Sequence, residues 1–248
     1  MRLKMEIYIL GNGSMAEAMA IGLSSKFKVI IVSREKQDSR YLSEFNIKNE
    51  LYGQKYDIEG KNIILAFKPY ALKEVSKKLV GKAEICISVL AMTKLEDLKH
   101  IDSKVRVCAM PNIAAKFKAS TTIYYTNDDD SKAAQILKEF GDIYRVYSDD
   151  EFKISGVVSG CVPAYLALIN EALQNGCVRE GINKELARSL VNSSFKSSVE
   201  LMQNFHPAIM KEKVCSPKGM TIEGVYFLEK NGIRGIFMEA LNRSINKK

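Results

Sequence analysis

The 248-residue chain reads as an α/β Rossmann-like N-terminal domain, residues 1–150, followed by an all-α C-terminal domain, residues 151–248. Three observations predict this. Over the first part, short and almost continuously apolar β-rich runs alternate with helical stretches, the pattern of a parallel sheet covered on both faces. A Gly-x-Gly-x-x-Ala stretch, Gly11 to Ala16, stands where the first strand hands over to the first helix. Beyond about residue 150 convincing strands cease and long helical patterns take over.

The elements follow in order. "MEIYIL" (5–10) is a short buried strand, and "SMAEAMAIGLSSKF" then places Met15, Met19 and Leu23 on one helical stripe. "KVIIVS" (28–33), "KNIILAF" (61–67), "AEICISVLA" (83–91) and "KVRVCAM" (104–110) read as further strands, with helices around 70–81 and 93–100. "STTIYYT" (120–126), a helix near 129–140 and "GDIYRVYS" (141–148) complete the first domain. In the second, "AYLALINEALQNGCVREG" and "NKELARSLVNSSFKSSVELMQNF" are long helices, the latter capped by Asn183. Pro217 is expected to open another helix, and Gly232 to break it before a final one.

Composition narrows the function. At 46% hydrophobic and 27% charged residues the chain reads as soluble and globular, with no uninterrupted apolar run of bilayer length, so no membrane partner is expected. The opening Met1-Arg2-Leu3-Lys4-Met5-Glu6 lacks the apolar core of a secretory signal, which points to a cytoplasmic location. Five dispersed cysteines without a Cys-x-x-Cys pair, and only His100 and His206, argue for reduced, mostly buried thiols and against a metal site or a His-based triad. The net charge of +8 is scattered among acidic residues, and its densest cluster, "KEVSKKLVGK" (73–82), reads as a solvated helix face. An anionic small ligand is expected rather than nucleic acid.

The glycine stretch supplies that ligand site. Gly11 permits the turn, Gly13 lets backbone approach a pyrophosphate, and Ala16 keeps the helix close to the sheet. The phosphate sits on unpaired helix N–H groups. Dinucleotide binders of the NAD type place an acid at the end of the second strand. Here the residues are Ser33 and Arg34, suited to a ribose 2′-phosphate. Glu35 follows one or two positions late. NADP, as NADPH, is therefore favoured over NADH.

Four further stretches carry a resemblance. "AFKPY" holds Lys68 and Pro69, and "AMPNIAA" holds Met110, Pro111 and Asn112, each at the carboxyl end of an expected strand. "SGCVPAYLALINEAL" (159–173) opens the helical domain, and Ser216-Pro217-Lys218-Gly219-Met220-Thr221 lies near its end. In this order they resemble the pyrroline-5-carboxylate reductase family over essentially the whole chain, from Ile7 to about Arg243. The resemblance implies reduction of 1-pyrroline-5-carboxylate, a cyclic imine, to L-proline by hydride from NAD(P)H, the last step of proline biosynthesis. It further implies a helical domain that interlocks two subunits, giving a homodimer or a higher homo-oligomer. By the same resemblance Gly11, Asn12, Gly13, Ser14 and Met15 bind the cofactor, with Ser33 and Arg34 at its phosphate. Lys68 and Pro69 lie at the nicotinamide ribose, and Met110, Pro111 and Asn112 near the nicotinamide. Ser216, Gly219, Met220 and Thr221 form the substrate region, and Thr221 is the candidate catalytic residue.

The chemistry fits these residue types. A protonated C=N already accepts hydride, so the protein has to orient it and hold the carboxylate, for which helix N–H groups after Pro217 are suited. The Thr221 hydroxyl either hydrogen-bonds the ring nitrogen or relays its proton; the plainer reading is that it caps a helix. The chain departs from the family at Lys218, where glycine is usual, at Met220, where a small residue is usual, at Val162, and at Ile113-Ala114 after the Met-Pro-Asn. Two rivals stay open. One is another NADP-dependent imine or carbonyl reductase of this architecture, though those usually place a lysine on the first helix of the second domain and residues 159–173 contain none. The other is a non-catalytic NADP-sensing Rossmann protein.

Overall fold

The computed structural model describes residues 5–36 and 39–247; residues 1–4, part of the stretch read as lacking a secretory signal, lie outside them. The chain runs β1 (Glu6–Leu10), α1 (Ser14–Ser24), β2 (Lys28–Ser33), α2 (Arg40–Glu44), β3 (Lys48–Leu51), β4 (Tyr56–Asp57) and β5 (Asn62–Leu65). It continues with α3 (Leu72–Ser76), β6 (Leu79–Val80), β7 (Ala83–Ser88), β8 (Ser103–Met110), β9 (Ser120–Tyr125), α4 (Ser131–Lys138) and β10 (Gly141–Arg145). Then come α5 (Asp149–Arg179), α6 (Lys184–Asn204), α7 (Pro207–Val214), α8 (Met220–Lys230) and α9 (Ile233–Ile245). Contacts divide the chain into two units, Met1–Gly160 and Cys161–Lys248, and the division falls inside α5.

In the first unit, eight strands form one sheet in the order β10-β9-β8-β7-β5-β1-β2-β3. From β3 to β8 neighbouring strands are parallel. The expectation of a wholly parallel sheet fails at the far edge. There β9 runs antiparallel to β8, and β10 follows β9 in parallel. The reason is the connection: only a 3-10 turn, Ile113–Phe117, closed by Lys118 in the left-handed region, links β8 to β9, and parallel pairing needs a longer crossover.

Both faces of this sheet are covered, as near-continuous apolar strands require. Along β1, Ile7 and Ile9 face a core with Met19 and Leu23 of α1, Ile64, Ile87 and Phe140. Tyr8 and Leu10 face a second core with Val32, Leu65, Val75 and Phe152. Each fully buried aliphatic side chain of this kind contributes about 2 kcal/mol.

Several local expectations are corrected. The helix placed over 70–81 is a 3-10 turn at Pro69–Ala71 and the short α3, and Leu79–Val80 pairs with Tyr56–Asp57 instead of forming a solvated helix face. The stretch 93–100 is a 3-10 turn, Glu96–His100. Of the five free thiols only Cys86 and Cys108 are buried, where loss of water pushes each up to about 12 and so keeps them protonated. Cys161, Cys177 and Cys215 are half-exposed rather than core residues.

In the second unit, Asn183 caps α6 as its sequence predicts, its side-chain oxygen accepting from the Leu186 N–H at 2.9 Å. Pro217 does not open a helix: it sits in a turn, and α8 starts at Met220. Among the described residues of this unit only Ala187 and Val191 are buried, while Leu168 is 67% exposed and Phe227 66%. The apolar surface of these helices is thus left open, which demands a cover. In α5, an apolar stretch is long enough to cross a membrane by length and composition, and 17% of it is buried. Polar Ser155, Ser159 and Asn170 interrupt this stretch, so its length emerges from the extent of the helix and not from an unbroken apolar run.

Candidate functional site

The site in the first unit begins with a steric demand at Gly11. Its backbone stands at φ +134°, and a Cβ there would lie 2.4 Å from the Ala66 carbonyl oxygen. No side chain fits, so β1 leaves the sheet tightly against the end of β5, where Ala66 N–H donates to the Leu10 carbonyl at 2.8 Å. Gly13 is the opposite case. It is the N-cap of α1 with no side-chain cap, and a Cβ on it would meet nothing within 4 Å. The first-turn N–H groups of α1 therefore face open space, the arrangement that accepts a phosphate.

That space is a cleft of about 540 Å³ at the carboxyl ends of β1, β2 and β5. It is lined by Gly11, Asn12, Gly13, Ser14, Met15, Ser33, Arg34 and Lys68, eight of the candidate cofactor residues. Arg34 and Lys68 supply positive charge, and Glu35, an exposed residue, also lines the cleft. Glu74, on the same wall, is held below the usual carboxylate range by its hydrogen bond from Lys78 at 2.8 Å, with Arg34 adding to the effect. The glycine cradle, the uncapped helix start and the two cations fit a dinucleotide with a charged phosphate group. Tyr52, Phe67, Tyr70 and Glu74 also line it and were not among the candidate site residues of the sequence reading. Tyr52 follows β3, whose "KNEL" carries no apolar alternation to reveal a strand.

The remaining cofactor candidates lie elsewhere in the unit. Pro69 starts the 3-10 turn beside the cleft and lines a neighbouring depression with Leu72, Met92 and His100. Met110, Pro111 and Asn112 do not line the cleft, although the next residue, Ile113, does. Met110 instead packs against Gly156 of α5, where a Cβ would stand 2.9 Å from its sulfur. Asn112 has both ends of its side chain engaged. Its oxygen caps the following 3-10 turn by accepting from Ala114 N–H at 3.0 Å, and its amide donates to the Ser159 carbonyl at 3.2 Å. That carbonyl is the one Pro163, four residues on, cannot serve, because proline has no N–H. The Met-Pro-Asn stretch and the Ser-Gly-x-x-Pro stretch are thus two halves of one repair. The Ser159 hydroxyl reinforces it with a hydrogen bond to the Met110 carbonyl at 3.0 Å.

In the second unit, Ser216, Gly219, Met220 and Thr221 fall together at the start of α8. Gly219 N–H donates to the Ser216 carbonyl at 3.0 Å, closing a turn with Pro217 and with Lys218 at φ +58°. This is the pattern of a type II turn, whose third residue favours glycine. Gly219 is the N-cap without a side-chain bond, and Thr221, second in the helix, is exposed. Thr221 therefore does not cap α8.

The Asn112 geometry generates a prediction. Asn112→Ala should lower stability by about 2 kcal/mol in urea unfolding, since it orphans a helix carbonyl and uncaps a turn. Adding Pro163→Ala returns an N–H to Ser159 and should recover part of that loss. Additive losses in the double variant would refute the pairing.

Comparison with known proteins agrees with this layout. A family model described as pyrroline-5-carboxylate reductase dimerisation matches residues 149–248, and one described as NADP oxidoreductase, coenzyme F420-dependent, matches residues 6–92. A pyrroline-5-carboxylate reductase of Helicobacter pylori is 35% identical over 97% of this chain and 98% of its own length. One from Pisum sativum is 32% identical over 94% of this chain and 90% of its own. The crystal structure of 1-pyrroline-5-carboxylate reductase from Streptococcus pyogenes is similar with a TM-score of 0.85 at 25% identity, covering 98% of this chain and 97% of that one. A Plasmodium falciparum pyrroline carboxylate reductase solved with NADP bound shares the fold, with a TM-score of 0.82 at 24% identity over 98% of each chain. Through both its sheet and its helices, this chain belongs to the pyrroline-5-carboxylate reductase family.

Proposed function

We propose that this chain reduces 1-pyrroline-5-carboxylate to L-proline, the last step of proline biosynthesis, with NADPH preferred over NADH. The observation that carries the proposal is the glycine cradle at the ends of β1, β2 and β5, standing in a chain related to pyrroline-5-carboxylate reductases along its full length. Bound NADPH supplies the hydride, which a protonated cyclic imine takes up without covalent help.

The chain's own residues bind and orient. Residues 1–150 hold the cofactor, with backbone N–H groups of Gly13, Ser14 and Met15 on the pyrophosphate beside Gly11 and Asn12. Arg34 pairs with the 2′-phosphate next to Ser33, and Lys68 and Pro69 border the nicotinamide ribose. Met110, Pro111 and Asn112 act at the nicotinamide end through the turn they brace, which delivers Ile113 to the cleft. Residues 151–248 serve dimerisation and substrate. There Ser216, Gly219 and Met220 present the start of α8 to the substrate carboxylate, and the Thr221 hydroxyl either hydrogen-bonds the ring nitrogen or relays its proton. A second copy of the chain covers the open apolar helices, so the exposed stretch of α5 meets protein, not lipid. The enzyme works in the cytoplasm as a homodimer or a larger assembly of dimers, with no nucleic-acid partner.

Rescue of a proline auxotroph by this chain is the experiment that tests the activity; failure by a soluble, expressed protein sinks it. Titration followed by cofactor fluorescence should show NADPH binding more tightly than NADH. Arg34→Asp should weaken NADPH selectively, by tenfold or more if the charge-assisted pair contributes about 1.5–3 kcal/mol. Thr221→Ala should lower kcat and kcat/KM together with the melting temperature hardly moved, and Thr221→Ser should keep most activity; normal turnover in the alanine variant removes the assigned role. Light scattering at micromolar concentration should find at least a dimer, and a monomer would contradict the covering of the helices.

A further inference from the structure

The turn that carries Arg34 and Glu35 is secured from the edge strand. In the parallel pairing of β2 with β3, Asn49 stands opposite Ile31 and Leu51 opposite Ser33. The Asn49 amide donates to the Ser33 hydroxyl oxygen at 2.9 Å and to the Ile31 carbonyl at 3.1 Å. An amide nitrogen has no lone pair to offer, so Ser33 is the acceptor in that bond. Its own proton goes on to the Glu35 carbonyl at 2.7 Å. Ser33 is 3% exposed, so the hydroxyl at the centre of this relay is sheltered from water.

We propose that Asn49 is a positioning residue for cofactor choice. The relay from Asn49 amide to Ser33 hydroxyl to Glu35 carbonyl sets the course of the turn, and so decides whether the Arg34 guanidinium or the Glu35 carboxylate meets the ribose 2′ position. Both side chains line the cleft, and they favour opposite cofactors: the cation favours a 2′-phosphate, the acid a free 2′-hydroxyl. With its proton committed to Glu35, Ser33 supports the turn and leaves the phosphate to Arg34. The inference rests on the cofactor reading above, but it concerns what holds the selector, not which cofactor wins.

The test compares kcat/KM for NADPH and for NADH in the full-length enzyme. Asn49→Ala should move the ratio of the two by about fivefold, the size of one neutral hydrogen bond. Asn49→Asp should move it further, because a carboxylate takes the Ser33 proton for itself and releases Glu35. Ser33→Ala should shift the ratio like Asn49→Ala, and the double variant no further than either, as members of one relay are non-additive. If Asn49→Ala fails to fold, Asn49→Ser carries the same comparison. A ratio that stays at the unmodified enzyme's value, with both cofactors losing efficiency in step with melting temperature, overturns the proposal and leaves Asn49 a structural strand residue. An unmodified enzyme that prefers NADH sinks the cofactor reading alone, since the inference is judged on whether the ratio moves.

Discussion

The cleft depends on one close approach, the passage of Gly11 over the Ala66 carbonyl. The backbone carbon and oxygen of Ala66 and the nitrogen of Phe67 would all stand within 3 Å of any Cβ there. Because these are backbone atoms, nothing can swing aside. The approach lets β1 turn sharply enough that α1 starts at the carboxyl ends of the strands, with its first N–H groups presented to the space at the ends of β1, β2 and β5. Everything else in the cleft is arranged around that start. Ala16, fully buried, lets α1 lie flat on the sheet, and Lys68 and Arg34 bring charge from the ends of the flanking strands.

Much of this was legible in the chain because the demand is local. A glycine that must hold a positive φ, a strand before it and a helix after it lie within a few residues, and each has its own compositional mark. The long strands were legible for the same reason: β1, β2, β5 and β7 are dominated by apolar residues, and β8 becomes so from Val107 on. The edge of the sheet was not. Lys48–Leu51 is exposed and mixed in character, yet it forms β3, because ladder pairing with β2 suffices to hold an edge strand. That miss matters, since β3 brings Asn49 under the Arg34 turn and is followed by Tyr52 on the cleft wall. The reversal of β9 and β10 escaped too, as strand direction follows from connection length rather than from residue pattern.

Short motifs also gain meaning from partners far away in the chain. Read alone, Met110-Pro111-Asn112 is a turn at a strand end, and Pro163 is a poor residue for a helix interior. The helix retains that proline because the carbonyl it abandons is taken by the Asn112 amide. A motif that borders the cofactor site in sequence terms thereby acts as a brace in structural terms. Its contribution to the cleft is the position of Ile113, while its own polar groups are spent on α5 and the 3-10 turn. Spacing could place the two motifs but could not show that each compensates the other.

The departures from the family pattern bear on the same distinction between backbone and side chain. Lys218 stands where glycine is usual, and it adopts the left-handed conformation that glycine serves in a type II turn. A non-glycine residue there costs about 1 kcal/mol, and the turn is still closed by the Gly219 N–H donating to the Ser216 carbonyl. The turn therefore keeps its path, and α8 still begins at Met220 with its first N–H groups uncapped by any side chain. Met220 is 94% exposed, so its bulk is not buried against that helix start within the chain. The backbone at the start of α8 is thus left open, and what Lys218 and Met220 set is the charge and size of the side chains around it.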